Sequence, residues 1–234
     1  MKAELEPDPR WAADLSGRSL PEAVRAIREA AEDRRLFGHL ARQHAREGRD
    51  SYVEIDAPLE LYAIVRLTRP RHVVEVGVSS GVSSAYLLEA LVRNRYGALH
   101  SVDLPKFEAP RPTGAAPTSS SWSLPPGRGP GWAVPPRLWS AWDLRIGDKR
   151  DVLPMLAEQL PRVDLLVYDV PHACHKTTLE LRGLAPRFHQ GTIVIIDHGS
   201  DGTRCPALAR LAQERHTRTV RRAGTGLYGA RLAR

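Results

Sequence analysis

The chain has 234 residues, 42% hydrophobic and 26% charged, a composition that is ordinary for one large globular domain. No apolar run approaches the roughly 20 residues of a membrane-spanning helix, and the acidic start "MKAELEPDPRWAADL" lacks the apolar core of a signal peptide. Cys174 and Cys205 have neither metal-site nor redox-motif spacing. We therefore expect no membrane association and a reduced, cytoplasmic setting.

The formal net charge is +7, and arginine supplies nearly all of the positive charge. A polyanionic partner such as RNA would explain such a charge. The arginines are scattered along the chain rather than clustered in a stripe, which favours a coding bias towards arginine. The sequence therefore keeps RNA as an alternative partner only.

The first predicted helix covers residues 19–47. Ser19 is a plausible N-cap and Glu22 completes a capping box, while Gly38 is a candidate break. A second helix is predicted over Pro58–Thr68. We expect residues 1–54 to form an N-terminal helical cap segment.

From residue 55 onwards the pattern alternates between strands and helices, which predicts a mostly parallel sheet with helices on both faces. Five buried strands are predicted, and a tail with a glycine turn adds two more. The fold class is thus α/β, with a Rossmann-like seven-stranded sheet and a C-terminal antiparallel hairpin. The segments that predict the first five strands are, in order, "HVVEVGV", "GALHSVDL", "DLRIGD", "VDLLVYDV" and "TIVIIDH".

A segment rich in proline and glycine, residues 105–142, interrupts this alternation. Unstructured loops of this length are uncommon inside a compact domain, and they are usually functional or disordered. Its tryptophans argue against plain disorder, because large aromatic side chains favour burial or a ligand. We expect this insert and the N-terminal helices to cover the pocket.

The stretch "GVSSG", residues 77–81, fits two kinds of site. It matches the G-x-S-x-G pattern of a hydrolase nucleophile, which would make Ser79 catalytic. It is also a glycine loop behind a buried strand, where a nucleotide-like ligand approaches the backbone. The chain lacks an oxyanion motif such as H-G-G-G, so the ligand-binding interpretation is preferred.

Two acids strengthen the ligand-binding interpretation. Asp103 ends the second strand, where a carboxylate can bind ribose hydroxyls. Glu75 lies two residues before the first glycine, inside a buried strand, and therefore needs a partner. An ammonium-bearing cofactor, or the hydrogen-bond network around it, is the preferred partner, and Arg69 or Arg71 is the alternative.

These motifs together resemble the class I S-adenosylmethionine (SAM)-dependent methyltransferases, in their small-molecule O-methyltransferase branch. The resemblance runs over residues 55–234 and covers "VVEVGVSSGVSSAYLL", "HSVDLP", "LRIGDKRDVLPML" and the stretch from "VDLLVYDVPH" to "TIVIIDH". Asp103 would bind the ribose, and Asp148 would contact adenine or cap the following helix. The residues implied for cofactor binding are Glu75, Gly77, Ser79, Gly81, Ser83, Asp103, Asp148 and Asp169.

The resemblance also implies a catalytic cluster beside the fourth and fifth strands. His172, in the D-x-x-H sequence that starts at Asp169, would be the general base, with His198 as its rival. Asp169 and Asp197 are candidate ligands for Mg²⁺, which prefers oxygen donors. The expected reaction is direct methyl transfer from SAM to a hydroxyl or amine of a small molecule. RNA methylation and a hydrolase built on Ser79 are the alternatives, and a homo-oligomer is compatible with the sequence.

Overall fold

The computed structural model describes residues 6–47, 57–105, 124–169, 180–197 and 206–233. The helices are α1 (Pro9–Ser16), α2 (Leu20–Ala31), α3 (Arg34–Arg46), α4 (Pro58–Thr68), α5 (Val82–Asn94), α6 (Lys149–Gln159) and α7 (Pro206–Glu214), with 3-10 helices at Pro136–Ala141 and Ala185–Arg187. The strands are β1 (His72–Val76), β2 (Ala98–Asp103), β3 (Trp142–Ile146), β4 (Val163–Asp169), β5 (Phe188–Asp197), β6 (Val220–Arg221) and β7 (Leu227–Arg231).

The seven strands form one sheet in the order β3-β2-β1-β4-β5-β7-β6. The five strands from β3 to β5 run parallel, and β7 is antiparallel to both β5 and β6. The predicted fold class is therefore confirmed, including the C-terminal antiparallel hairpin. The chain leaves β1 to one side for β2 and to the other for β4, so the carboxyl end of β1 is a switch point, where α/β folds bind ligands.

Successive residues of the central strands point to opposite faces of the sheet, as the pleat requires. On one face, Val73 and Leu165 pack in a core with α1, α2, α4 and α5. On the other face, Val74 and Leu166 pack in a second core with α6 and α7. Because both faces are covered, the strands are almost continuously apolar, which makes them recognisable in the sequence.

The N-terminal helices differ from the prediction in two respects. Helix α1 was not predicted, although its Trp11 is 1% exposed in the core. The helix predicted over residues 19–47 is broken after Ala31 rather than at Gly38, because Asp33 caps α3 by accepting a hydrogen bond from the Leu36 nitrogen at 2.9 Å. The capping box of Ser19 and Glu22 is present as expected.

A buried ion pair links the turn between β6 and β7 to helix α4. The Arg222 Nε lies 2.6 Å from the Glu60 Oε1 in α4, and both side chains are almost fully buried. Arg222 also donates to the Glu6 carbonyl, and Glu60 accepts from the Asp8 nitrogen. Helix α1 is thus part of the same core as the sheet, whereas the boundary predicted near residue 54 lies outside the described residues.

Part of the predicted insert is ordered structure. Residues 124–141 contain turns and the 3-10 helix Pro136–Ala141, and β3 begins at Trp142. Residues 106–123 lie outside the described part of the chain. No helix within the described ranges is long and apolar enough to cross a membrane.

Candidate functional site

The loop between β1 and α5 has an unusual backbone. Gly77, Ser79 and Gly81 have φ angles of 92°, 49° and 91°, all in the left-handed region that glycine adopts most readily. Asp103, at the end of β2, fixes this turn because its Oδ2 accepts from the backbone nitrogens of Val78 and Ser79, each at 2.8 Å. Asp103 therefore holds the loop at the carboxyl edge of the sheet, which is where such folds bind ligands.

The second carboxylate oxygen of Asp103, Oδ1, is available to a ligand. Its side chain is only partly buried, and Oδ1 accepts no hydrogen bond from the residues that the structure describes. One carboxylate can thus hold the loop with one oxygen and accept from a ligand hydroxyl with the other. This arrangement fits the predicted ribose contact, which remains a prediction.

Glu75 lies completely buried behind the loop. Its carboxylate accepts from three hydroxyls, those of Ser83 (2.6 Å), Ser84 (2.6 Å) and Ser101 (2.7 Å). Burial raises the pKa of Glu75 above its ordinary value, and the three serine hydrogen bonds oppose that shift.

The alternative partners of Glu75, Arg69 and Arg71, do not contact its carboxylate. The Arg69 guanidinium donates instead to the Asn94 carbonyl at 3.1 Å. Of the two predicted roles, the geometry favours an indirect one, in which Glu75 orders the start of α5 through Ser83 and Ser84.

A second layer covers the loop from outside, and we call it the cover: helix α3 together with residues 124–135. The Gly131 nitrogen donates to the Ser79 carbonyl at 2.8 Å, and the Ala133 nitrogen donates to the Ser80 carbonyl at 3.0 Å. The contact is close, because a Cβ on Gly81 would lie 2.5 Å from the Val134 Cγ2. Residues 131–134 therefore pack directly on the glycine loop, whereas the expected cover over a pocket stays a prediction.

Asp148 is the N-cap of α6, as one of its two predicted roles requires. Its Oδ1 accepts from the Arg150 nitrogen at 2.9 Å, and the Arg150 guanidinium lies 2.6 Å from Oδ2. The hydrogen bond from the Arg150 side chain lowers the pKa of Asp148 to about 2. The side chain therefore carries a charge at neutral pH, and its contact with adenine stays a prediction.

Asp169 and Asp197 are brought together by the sheet. They are register partners at the carboxyl ends of β4 and β5, and both are partly buried. His172 and His198, the predicted bases, lie outside the described residues. Within the described ranges no group of three or more metal-ligating side chains occurs, so the Mg²⁺ site and the bases remain predictions.

Some residues around the loop were not predicted from the sequence. Ser101 is the register partner of Glu75. Its position as a polar residue inside a buried strand was the sequence signal that could have identified it. Trp142 donates its indole N–H to Ser101 at 2.8 Å. His44 follows Leu36 and Leu40 at helical spacing, so it is a polar residue on the apolar face of α3, and this was the sequence signal that could have identified it.

Comparison with known proteins decides which family this site belongs to. The family model described as a methyltransferase domain matches residues 74–198, more than half of the chain. The chain belongs to this methyltransferase family. The matched range begins in β1 and ends just after β5, and thus contains the glycine loop, Asp103 and both carboxylates at the ends of β4 and β5. No curated protein matches the sequence.

Solved structures share the fold of this methyltransferase at low sequence identity. A methyltransferase from Geobacter sulfurreducens has 15% identity and a TM-score of 0.57, with 97% of each chain covered. The Bacillus cereus O-methyltransferase in complex with SAH (S-adenosylhomocysteine) has 14% identity and a TM-score of 0.56, covering 86% of this chain and 91% of that one. Streptomyces achromogenes TomG, an O-methyltransferase involved in tomaymycin synthesis and solved with SAM, has 17% identity and a TM-score of 0.55, covering 87% and 91%.

The family assignment overturns the hydrolase alternative. Ser79 belongs to the methyltransferase glycine loop, where its carbonyl accepts from Gly131 and its nitrogen donates to Asp103. The neighbouring Ser80 is the residue whose hydroxyl meets a histidine, His44, at 3.1 Å. The G-x-S-x-G match therefore arises because Ser79 occupies the left-handed position of this turn, and it does not mark a nucleophile.

Proposed function

We propose that this methyltransferase uses SAM to methylate a hydroxyl, or an amine, of a small molecule. The observation that carries the proposal is the pairing of the left-handed loop after β1 with Asp103 at the end of β2. Both lie at the switch point of the sheet, where such folds bind ligands. Two of the structural neighbours, one solved with SAH and one with SAM, are named O-methyltransferases, which supports both the cofactor and the reaction.

The loop residues would hold the cofactor mainly through their backbone. Gly77 carries no side chain and Ser79 carries a small one, so a ligand can approach their peptide groups, whereas Gly81 lets Val134 pack against the loop. Asp103 would accept from the ribose hydroxyls with its free oxygen, and Asp148 would meet the adenine. Glu75 would act behind the loop, through Ser83.

When bound, SAM supplies an electrophilic methyl group for direct in-line transfer to the acceptor. The main task of the protein is to hold acceptor and donor at reactive distance. The proton of the acceptor hydroxyl must leave, and His172 is the proposed base, with His198 as its rival. If Mg²⁺ is bound at Asp169 and Asp197, it would lower the pKa of the acceptor hydroxyl instead.

The small-molecule acceptor is preferred to RNA. Many arginines are engaged with carboxylates of the protein itself, which gives the positive charge a structural use. They are Arg66, Arg93, Arg128, Arg137, Arg145, Arg150, Arg162 and Arg222. An RNA substrate would instead reveal itself by an affinity that falls steeply with salt.

The remaining proposals concern the organisation and setting of the protein. The chain is divided into the N-terminal cap segment, residues 1–54, and the methyltransferase domain, residues 55–234, with the insert at 105–142. A cytoplasmic setting is proposed from the cysteine spacing, and association into a homo-oligomer stays compatible with these features.

Isothermal titration calorimetry with SAM and with SAH tests the proposed function. We expect both to bind at one site per chain, and ATP and NAD to give no heat of binding. Absence of SAM and SAH binding by a folded protein would refute the proposal. Transfer of a radiolabelled methyl group from SAM to a panel of phenols, catechols and amines would then identify the acceptor class.

A further inference from the structure

His44 links the N-terminal helices to the glycine loop. It lies in the last turn of α3 and is 1% exposed. Its Nε2 is 3.1 Å from the Ser80 Oγ, in the middle of the loop between Gly77 and Gly81. A side chain far away in the sequence thus reaches the segment that would contact the cofactor.

The hydrogen bonds of His44 fix its tautomer. Its Nδ1 lies 2.9 Å from the Leu40 carbonyl oxygen, and because a carbonyl only accepts, Nδ1 must carry the proton. In the neutral ring Nε2 is therefore an acceptor, and it receives the hydroxyl proton of Ser80. The imidazole holds Ser80 in one orientation, and the backbone of α3 holds the imidazole.

The rest of the cover keeps His44 in place. The Trp132 ring centroid lies 4.9 Å from that of His44, with the rings tilted by 48°. Residues 131 and 133, on either side of Trp132, donate to the Ser79 and Ser80 carbonyls. The Arg128 Nε lies 2.8 Å from the Glu47 Oε1 just beyond α3, so the two parts of the cover are joined to each other as well as to the loop.

We infer that His44 is a positioning residue for cofactor binding: it fixes Ser80, and with it the glycine loop, in the ligand-binding conformation. The inference rests on the proposed function. It makes α3 part of the cofactor site, although the family model begins only at residue 74. A ligand that needs this loop conformation binds more weakly when the hydrogen bond is absent, since the loop must then be ordered on binding.

Three variants separate positioning from stability. His44→Phe keeps a ring against Trp132 but removes the acceptor, whereas His44→Gln keeps an acceptor that can reach Ser80. Leu40→Ala, one turn earlier on the same face of α3, is the matched control, because it destabilises the helix packing and leaves the Leu40 carbonyl in place. The measurements are the Kd for SAH by calorimetry and the melting temperature of each variant.

We expect His44→Phe to raise the Kd for SAH by about 10-fold, as for the loss of one hydrogen bond. His44→Gln should stay close to the wild-type Kd. Leu40→Ala should lower the melting temperature as much as His44→Phe does, with little change in Kd. In a Ser80→Ala background, His44→Phe should add no further loss, because the partner is already missing.

Two outcomes would overturn the inference while leaving the proposed function intact. One is an unchanged Kd for SAH in folded His44→Phe, and the other is an equal rise in Kd in Leu40→Ala. If His44→Phe does not fold, Ser80→Ala decides, because it removes the other partner of the same hydrogen bond: it should raise the Kd for SAH by a similar factor, and an unchanged Kd in folded Ser80→Ala overturns the inference. A wild-type protein that binds neither SAM nor SAH refutes the proposed function itself, and the inference with it.

Discussion

Asp103 holds Ser79 in place: its Oδ2 accepts from the Ser79 backbone nitrogen at 2.8 Å, across two neighbouring strand ends. The same oxygen accepts from the Val78 nitrogen. The sequence predicts only a ribose contact for Asp103, whereas the structure shows that its carboxylate also holds the glycine loop. The proposed ribose contact would use the other oxygen, Oδ1, so that mutation can separate it from the contact with the loop.

Asp103→Asn should separate these roles. The asparagine carbonyl can still accept from the loop nitrogens, but the negative charge offered to a ribose is gone. We expect the binding free energy for SAM to become less favourable by about 1–3 kcal/mol, with the melting temperature nearly unchanged. Asp103→Ala should lower both the affinity for SAM and the melting temperature, because the loop nitrogens lose their acceptor as well. Calorimetry and thermal denaturation would measure the two effects, and wild-type affinity in folded Asp103→Asn would exclude the ribose contact.

Ser79→Gly should be tolerated. Ser79 has a φ of 49°, and a side chain in this region costs about 1–2 kcal/mol, partly offset by the greater freedom of glycine in the unfolded chain, about 0.5–1 kcal/mol. We expect the free energy of unfolding to change by less than about 1 kcal/mol, and SAM binding to persist. A fluorophosphonate probe should leave the wild-type Ser79 unlabelled, and stoichiometric labelling would contradict a purely conformational role of Ser79.

Gly81→Ala should damage the contact between the loop and the cover. At a φ of 91°, the new Cβ would lie 2.5 Å from the Val134 Cγ2 and 2.8 Å from the Gly131 Cα. Gly127 is the matched control, since its φ is 76° and a Cβ added to it would have no neighbouring atom within 4 Å among the described residues. We expect Gly81→Ala to lose about 1–3 kcal/mol of stability beyond the loss in Gly127→Ala, measured by urea denaturation. Equal losses would mean that the clash is relieved without cost.

Glu75→Gln should change how stability depends on pH. The folded-state pKa of Glu75 is raised above its ordinary value of 4.5, so the folded protein keeps this proton to higher pH than the unfolded chain does. Its contribution to stability is full below the ordinary pKa and is lost as the pH rises through the folded-state pKa. Since glutamine has no proton to lose, the free energy of unfolding of Glu75→Gln relative to wild type should increase as the pH rises from the ordinary pKa of 4.5 through the raised folded-state pKa. A difference that stays constant over this range would contradict the raised pKa.

Local and periodic features were predictable from the sequence. The apolar strands between glycines and the capping signals predict the order of the elements and even the bounds of α4, Pro58–Thr68. Asp103 and Asp148 were predictable because acids after strands mark ligand sites or helix caps. Asp169 and Asp197 were both expected at strand ends, and the parallel register makes them neighbours.

Contacts between distant segments were not predictable. Helix α1 has eight residues, too few for a clear periodic pattern, and it packs on α2 and α4 and also on β6 and β7 near the other end of the chain. The Ser101 hydroxyl reaches Glu75 only through the pairing of β1 with β2. Likewise, His44 meets Ser80 only because α3 and residues 124–135 fold over the loop together.

The catalytic proton transfer can be assigned by comparing His172, His198 and the carboxylates Asp169 and Asp197. If His172 is the base, His172→Ala should lower turnover by about 10²–10⁴-fold and leave the Kd for SAM nearly intact, with the nearby His175→Ala as a control. If a metal activates the acceptor instead, a chelator should abolish methyl transfer and added Mg²⁺ should restore it. We expect the histidine to dominate, because only two carboxylates end these strands, whereas Mg²⁺ demands about six oxygen ligands and would need water or substrate for the rest. Turnover that survives both treatments would mean that proximity alone suffices or that His198 is the base, and His198→Ala would then decide between the two.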